Sequence, residues 1–178
     1  MIATEDLFLD KAKYSDWKDM YLNVWSRPES AKYMLWKVTV SEEEARNRIE
    51  RTIAFQKEHD AFLVYEKVSG RAIGFGGVLQ TGPHTYEDTG ICVGPDYMRR
   101  GYGKQIVRGL MQFCRDERGA TEFVYTAREE NAAANALARS LGFSLVGGED
   151  KTDARDGHIY RLLCWKLDME KGSYREEA

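Results

Sequence analysis

Cysteine is scarce in this chain of 178 residues: only Cys92, Cys114 and Cys164 occur. Their number is odd and their spacing matches no metal-ligand pattern, so no disulfide framework and no metal site are expected. They read as small buried hydrophobes in a reducing compartment. No apolar run approaches the ~18–20 residues that a bilayer-spanning helix needs. The N-terminal Met-Ile-Ala-Thr-Glu-Asp lacks the basic-then-apolar pattern of an export signal. A cytoplasmic protein with no membrane partner is expected. Excess positive charge is missing as well, since a net charge of −3 leaves no broad footprint for nucleic acid.

What is present suits a folded chain: 43% hydrophobic and 31% charged residues fit a packed protein rather than a disordered one. The length allows one domain over residues 1–178, with a core of about 7–168. The charged stretch 169–178 reads as a frayed tail. The most informative segment is Val93-Gly-Pro-Asp-Tyr-Met-Arg-Arg-Gly-Tyr-Gly-Lys104, set between a β-like run and an amphipathic helix. A helix start leaves backbone N–H groups unpaired and carries partial positive charge, so anions settle there. Gly101 and Gly103 permit close backbone approach. Arg99, Arg100 and Lys104 add fixed charge. No Lys-Ser/Thr ending follows and the turn lies mid-chain, so neither a triphosphate loop nor a dinucleotide fingerprint fits well. A phosphate-bearing cofactor is implied.

Along the chain, Leu7–Asp10 reads as a strand. Ser15 then caps a helix with Trp17, Met20, Tyr21 and Val24 on one stripe. Pro28 breaks it, and Ser30 caps a short helix through Tyr33–Trp36. Ser41 and Glu44 form a capping box ahead of Ala45, Ile49 and Ile53, a helix running to about Lys57. Ala61–Glu66 and Ala72–Leu79 read as strands around a Ser69-Gly70 turn, with Gly74, Gly76 and Gly77 marking a bulge or a close backbone neighbour. Thr85–Val93 reads as a fourth strand. The helix from Gly101 turns Ile106, Val107, Leu110, Met111 and Cys114 inward. Glu122–Thr126 is a strand and Asn131–Leu141 a helix stopped by Gly142. Phe143–Val146 and His158–Leu167 are the last strands, around a polar loop 147–157. The pattern is mixed α/β on one largely antiparallel sheet.

Two segments carry a resemblance that covers about Leu7 to Asp168. Thr89-Gly-Ile-Cys-Val-Gly-Pro-Asp-Tyr-Met-Arg-Arg-Gly-Tyr-Gly-Lys104 resembles the strand and pyrophosphate loop, Gln/Arg-x-x-Gly-x-Gly/Ala, of the GNAT superfamily of acyl-CoA-dependent N-acyltransferases. Asn131-Ala-Ala-Ala-Asn-Ala-Leu-Ala-Arg-Ser-Leu-Gly-Phe143 resembles that superfamily's Asn-led helix ending in Leu-Gly-Phe. Their order and ~30-residue separation make the pair far more specific than either motif alone. Trp25-Ser-Arg-Pro-Glu-Ser-Ala-Lys-Tyr-Met-Leu-Trp36, followed by Ser41-Glu-Glu-Glu-Ala45, is similar to the ribosomal-protein N-terminal acetyltransferase-like branch.

The resemblance implies a twisted sheet of about seven strands, splayed between the fourth and fifth, with acetyl-CoA held in the splay as cosubstrate. It implies that Cys92 and Val93 offer backbone groups to the pantetheine arm and thioester. Backbone N–H groups from Met98 through Arg99, Arg100, Gly101, Tyr102 and Gly103, with Lys104, hold the pyrophosphate, and Asn131 bonds the pantetheine chain. The acceptor is a peptide N-terminus or a small-molecule amine, and relatives are often homodimers. Two positions depart from the pattern: Met98 stands where Gln or Arg is usual, and Ala138 where many relatives carry a tyrosine acting as general acid. The branch also aligns Asp88 with an acidic residue before a Gly.

An amine must be neutral to attack a thioester, yet its pKa of ~8 (α-amine) or ~10.4 (lysine) keeps it protonated at pH 7. Glu87 and Asp88 are the candidate bases, directly or through one water. Side chains alternate along a strand, so one of the two faces the cofactor side; a bulge would exchange them. Asp88 is preferred. His84, after a Gly-Pro turn, and His158, opening a strand, are alternatives. Trp25, Tyr33 and Trp36 are candidates to line the acceptor pocket. A non-catalytic CoA-binding or sensor module, and an interaction scaffold without ligand, are the rival functions.

Overall fold

The stripes and alternating runs take definite form in a computed structural model describing residues 1–170; most of the expected frayed tail, 171–178, lies outside the described residues. Nine strands and five α-helices follow in order: β1 (Ile2–Ala3), β2 (Leu7–Asp10), α1 (Trp17–Met20), α2 (Pro28–Ala31), α3 (Glu42–Glu58), β3 (Ala61–Glu66), β4 (Ala72–Gln80), β5 (Thr85–Asp88), β6 (Cys92–Val93), α4 (Tyr102–Arg118), β7 (Glu122–Arg128), α5 (Ala132–Ser140), β8 (Ser144–Thr152) and β9 (Ile159–Asp168). The chain divides into two units. Met1–Val78 with Thr89–Leu110 form the first, and Leu79–Asp88 with the residues from Met111 onward form the second.

In the first unit β1, β2, β3 and β4 pair antiparallel in sequence order, and β6 adds antiparallel to β4. Ser41 Oγ accepts the Glu44 N–H at 3.1 Å and Glu44 Oε2 accepts the Val40 N–H at 2.9 Å, so α3 starts where the sequence placed it. Its Ala45 and Ile49 are fully buried beside Met20, Val24, Leu63 and Ala72. The expected helix after Ser15 is not a uniform one. A 3-10 turn at Tyr14–Asp16 leads into α1, which passes into a π turn at Tyr21–Trp25. Ser15 lies inside the 3-10 turn. Asp16 Oδ2 instead accepts the Lys13 N–H at 2.7 Å and the Tyr65 hydroxyl at 2.6 Å. The wider π turn puts Asn23, Val24 and Trp25 all inside, where a 3.6-residue period would have turned one of them out. Pro28 begins α2 at its first position rather than only ending what precedes it, so this helix stops at Ala31, well short of Trp36.

The second unit pairs β5 parallel to β7, then β7, β9 and β8 antiparallel. Phe123, Phe143 and Trp165 are buried in its core, with Phe123 edge-on to Phe143 at 6.2 Å. Nine strands replace the expected seven for two reasons. Two-residue β1 is too short to show alternation, and the expected strand 85–93 breaks into β5 and β6. The polar loop 147–157 also shortens, because β8 runs on to Thr152 as a mostly exposed edge strand whose charges hide its pairing. A register shift between Leu145 and Gly147 absorbs the irregularity. No helix among the described residues is long and apolar enough to cross a membrane.

Candidate active site

The loop between β6 and α4 lies wholly in the first unit. Pro95–Tyr97 make a 3-10 turn, Arg99 sits at φ +62° and Gly101 at φ +78°. A left-handed arginine is strained by about 1–2 kcal/mol, and such strain gathers at sites that need a particular backbone shape. The N–H groups of Tyr97 and Met98 donate to Gly94 O (2.9 Å) and Pro95 O (3.3 Å), so the open amides begin beyond Met98. Gln105 N–H donates to Gly101 O at 3.2 Å. The amides of Tyr102, Gly103 and Lys104 therefore occupy the first turn, which has no intrahelical acceptors. A Cβ on Gly101 would meet nothing within 4 Å, leaving open space above the turn. Exposed Arg99 and half-buried Lys104 supply charge. This cradle of amides and cations fits a diphosphate.

Arg100 and Tyr102 face elsewhere. The buried Glu66 carboxylate takes Arg100 Nη1 at 3.2 Å and the Tyr102 hydroxyl at 2.9 Å on Oε1, and Ser69 Oγ at 2.7 Å on Oε2. Arg100 Nη2 also donates to Asp96 O at 3.1 Å. The sequence assigns Arg100 a share of the phosphate charge; in the structure its half-exposed guanidinium is engaged by Glu66 and the Asp96 carbonyl, which brace the loop. Glu66 went unnoticed because it ends an apolar strand, where a carboxylate reads as solvated. The other flank is fastened by Arg27 Nη1 to Asp96 Oδ2 at 2.7 Å, a bond that holds the Asp96 carboxyl below its ordinary range.

Strand β6 is shaped by glycine. A Cβ at Gly74 would run into the Cys92 carbonyl, and one at Gly94 into the Asn23 carbonyl, so both positions require close backbone approach. Gly74 stands opposite Val93 and Phe75 opposite Cys92, while Gly94 N–H donates to Ile73 O at 2.8 Å. Bonded and non-bonded pairs alternate in an antiparallel ladder, which makes Gly74–Val93 the non-bonded pair. The N–H and C=O of Val93 therefore point away from β4. Thr89 N–H donates to Gly77 O at 3.0 Å, one residue out of step with the pairing at Cys92, and Gly90 takes φ +104°. One extra residue is accommodated there as a bulge. Burial pushes the Cys92 thiol up to about 12, so it stays protonated.

Glu87 and Asp88 end β5 in the second unit and face opposite ways. Asp88 is buried, and its Oδ1 accepts the Thr126 N–H at 2.8 Å. Half-buried Glu87 lines a cavity of about 340 Å³ with Thr126, Gly148, Glu149 and Cys164. Its carboxyl is raised by burial first; nearby Lys151 opposes the rise and Glu149 adds to it. His84 is an exposed loop residue whose Nδ1 lies 3.1 Å from Gly119 O. His158 is exposed, with Nε2 at 3.7 Å from Glu130 Oε2. Neither is brought to that cavity.

Asn131 caps α5, its Oδ1 accepting the Ala134 N–H at 3.2 Å. Its Nδ2 has no partner among the described residues. Ala138 is 1% exposed, so no side chain capable of proton transfer stands at that position. Buried Asn135 escaped the sequence reading. Its Nδ2 donates to Arg128 O, Glu129 O and Asn131 O at 3.0, 3.2 and 2.9 Å, and its Oδ1 accepts Trp165 Nε1 at 2.9 Å. The only signal for it was an asparagine on the apolar stripe of a helix.

A second cavity, of about 250 Å³, belongs to the first unit. Trp25, Trp36, Arg48, Phe55 and Phe75 line it, with Thr89 and Gly90 at one side. Two of the three expected aromatics are there; the Tyr33 ring instead carries the Lys32 ammonium at 5.0 Å. The Arg48 guanidinium lies 4.7 Å from the Trp25 ring and 4.5 Å from the Trp36 ring, and Nη1 donates to Thr39 Oγ1 at 3.0 Å.

Comparison with known proteins identifies the fold and the family. The chain is 38% identical over 81 residues to N-alpha-acetyltransferase RimI of Mycobacterium tuberculosis, a match covering 44% of this chain and 49% of that protein. The match thus spans about half the length of that curated relative. A GNAT-family acetyltransferase from Bacillus anthracis has the same fold, with a TM-score of 0.81 at 20% identity, over 95% of this chain and 98% of that one. So does spermidine N-acetyltransferase from Vibrio cholerae, in complex with CoA and spermine, with a TM-score of 0.75 at 14% identity, over 94% and 98%. The family model for the acetyltransferase (GNAT) domain matches residues 6–144, and the chain belongs to that family.

Proposed function

We propose that the chain is a single N-acetyltransferase domain that moves an acetyl group from acetyl-CoA directly to a primary amine, in a small molecule or at a peptide N-terminus. The observation that carries this reading is the 99–104 turn, where left-handed Arg99 and Gly101 deliver backbone amides to an open helix start. Acetyl-CoA, when bound, supplies an acetyl group activated as a thioester. Amides from Arg99 to Lys104, with the charges of Arg99 and Lys104, hold its diphosphate; Met98 contributes no side-chain donor. The outward N–H of Val93 donates to the thioester oxygen, where charge develops. The Asn131 amide is assigned to the pantetheine arm.

Glu87 takes the amine proton. Burial raises its carboxyl toward the working pH, which suits a general base, whereas Asp88 is occupied by a main-chain amide. Its cavity is roomy enough for the one water such a base can work through. Three free cysteines accord with a cytoplasmic enzyme, and the homodimer of the resemblance belongs to the same reading. Alanine at 138 in place of a tyrosine, and Met98 in place of Gln or Arg, favour one rival, a CoA-binding module without catalysis. Release of CoA thiol from acetyl-CoA in the presence of a panel of amines and N-terminal peptides supports transfer. Thermal stabilisation by acetyl-CoA without thiol release for any amine supports the rival, and no stabilisation at saturation rejects both.

A further inference from the structure

Arg48 is a half-buried cation without an acid to answer it. It projects from α3 into the aromatic cavity, within 4.7 Å of the Trp25 ring and 4.5 Å of the Trp36 ring, and its one hydrogen bond is to the neutral Thr39 hydroxyl. It forms no ion pair among the described residues. Glu44, one turn earlier, points its carboxylate to the Val40 N–H. Burial pulls the guanidinium down to about 10; the Glu44 charge opposes that fall and Arg51 adds to it. It remains protonated at neutral pH. Of its five N–H donors one is engaged, and the two tryptophan rings beside it restrict where the others can reach.

We propose that this cavity is the acceptor subsite and that Arg48 selects amines carrying a carboxylate, that is, small amino-acid-like acceptors with an apolar body. The inference rests on the acetyltransfer reading above and narrows it. Trp25, Trp36 and Phe75 supply the apolar walls. The volume equals roughly eight water molecules at ~30 Å³ each, which admits a small acceptor or one residue of a larger one. Thr89 and Gly90 bound the cavity three and two residues before Cys92, so an amine at that side lies beside the strand whose backbone receives the thioester. A carboxylate reaching the guanidinium gains charge-assisted, two-pronged bonding to a partly buried cation.

The test is calorimetric titration of the full chain, without acetyl-CoA, with leucine, phenylalanine and tyrosine, each beside its carboxamide. At least one acid is expected to bind about tenfold more tightly than its amide. Arg48→Lys keeps the charge but loses the planar fork, and is expected to reduce that preference several-fold; Arg48→Gln is expected to abolish it. Should every acid bind no better than its amide, or should Arg48→Lys keep the full preference, the proposal is overturned. The wild-type and Arg48→Lys arms decide the matter even if Arg48→Gln fails to fold. A preference for the acid with no thiol release from acetyl-CoA leaves carboxylate binding by Arg48 standing and removes the acetyltransfer reading instead. Acetylation confined to peptides whose acidic side chain is the only carboxylate near the amine, with free amino acids not bound, also overturns it.

Discussion

The Tyr102 hydroxyl, on the first residue of α4, donates to Glu66 Oε1, on the last residue of β3, at 2.9 Å. Arg100 meets the same oxygen at 3.2 Å. One buried carboxylate thus ties the start of the helix and the turn before it to the edge of a strand, which makes Glu66 a positioning residue for the amide cradle. Glu66→Gln keeps an acceptor for Tyr102 but removes the charge facing Arg100. KM for acetyl-CoA is expected to rise about tenfold, in line with ~1.5–3 kcal/mol for a hydrogen bond to a charged group, with kcat within twofold. Steady-state kinetics check this; an unchanged KM with a lower melting temperature would leave Glu66 a purely structural residue.

Arg99 combines strain with charge, and two substitutions separate them. Arg99→Gly relieves the left-handed backbone, partly offset by unfolded-state entropy, for a net gain of about 0.5–1 kcal/mol. That is roughly 2–3 °C in Tm for a chain this size. Arg99→Ala keeps the strain and leaves Tm unchanged. Both lose the cation, so CoA affinity is expected to fall severalfold in each, with a shallower salt dependence. Differential scanning fluorimetry and titration with CoA read the two effects separately.

Glu87 and Asp88 are distinguished by pH. A base must be deprotonated, so the rate falls as pH drops through the Glu87 value, which burial places above the ordinary carboxylate range. Glu87→Gln is expected to lower kcat by about a hundredfold and to erase that acidic limb. Asp88→Asn can still accept from Thr126 and keeps both rate and limb. Asp88→Ala strands that amide and is expected to lose ~1–3 kcal/mol of stability. A pH–rate profile in which Asp88→Asn rather than Glu87→Gln erases the limb reverses the assignment.

Acid sensitivity has a separate source. Buried Asp153 receives Arg155 at 2.6 Å and Arg128 at 2.7 Å, and these two arginines hold its carboxyl well below the usual carboxylate range. Its stabilisation is therefore complete above the unfolded value of ~4 and fades as pH falls toward the lower folded value. Asp153→Asn is expected to lower stability at pH 7 and to flatten its decline between about pH 4 and pH 2, measured by denaturant unfolding across pH.

The sequence by itself determined the elements whose information is local. The Ser41–Glu44 cap, the buried stripe of α4 and the turn before it all rest on neighbours three or four residues apart, and they appear where their spacing put them. The same holds for the helix that Asn131 leads, although its capping role shows only in the structure. Tertiary structure alone decided which charges are available. Arg99 and Arg100 are adjacent and chemically identical, yet only Arg100 is met by a carboxylate, that of Glu66 at the end of β3. Glu87 and Asp88 differ by one step of the pleat, and only the amide of Thr126, across a parallel pairing, settles which is occupied. Arg48 gained its meaning from two tryptophans 23 and 12 residues away in the chain. A side chain's conformational preference is local, but its electrostatic partners are set by packing between distant segments, which spacing along the chain does not encode.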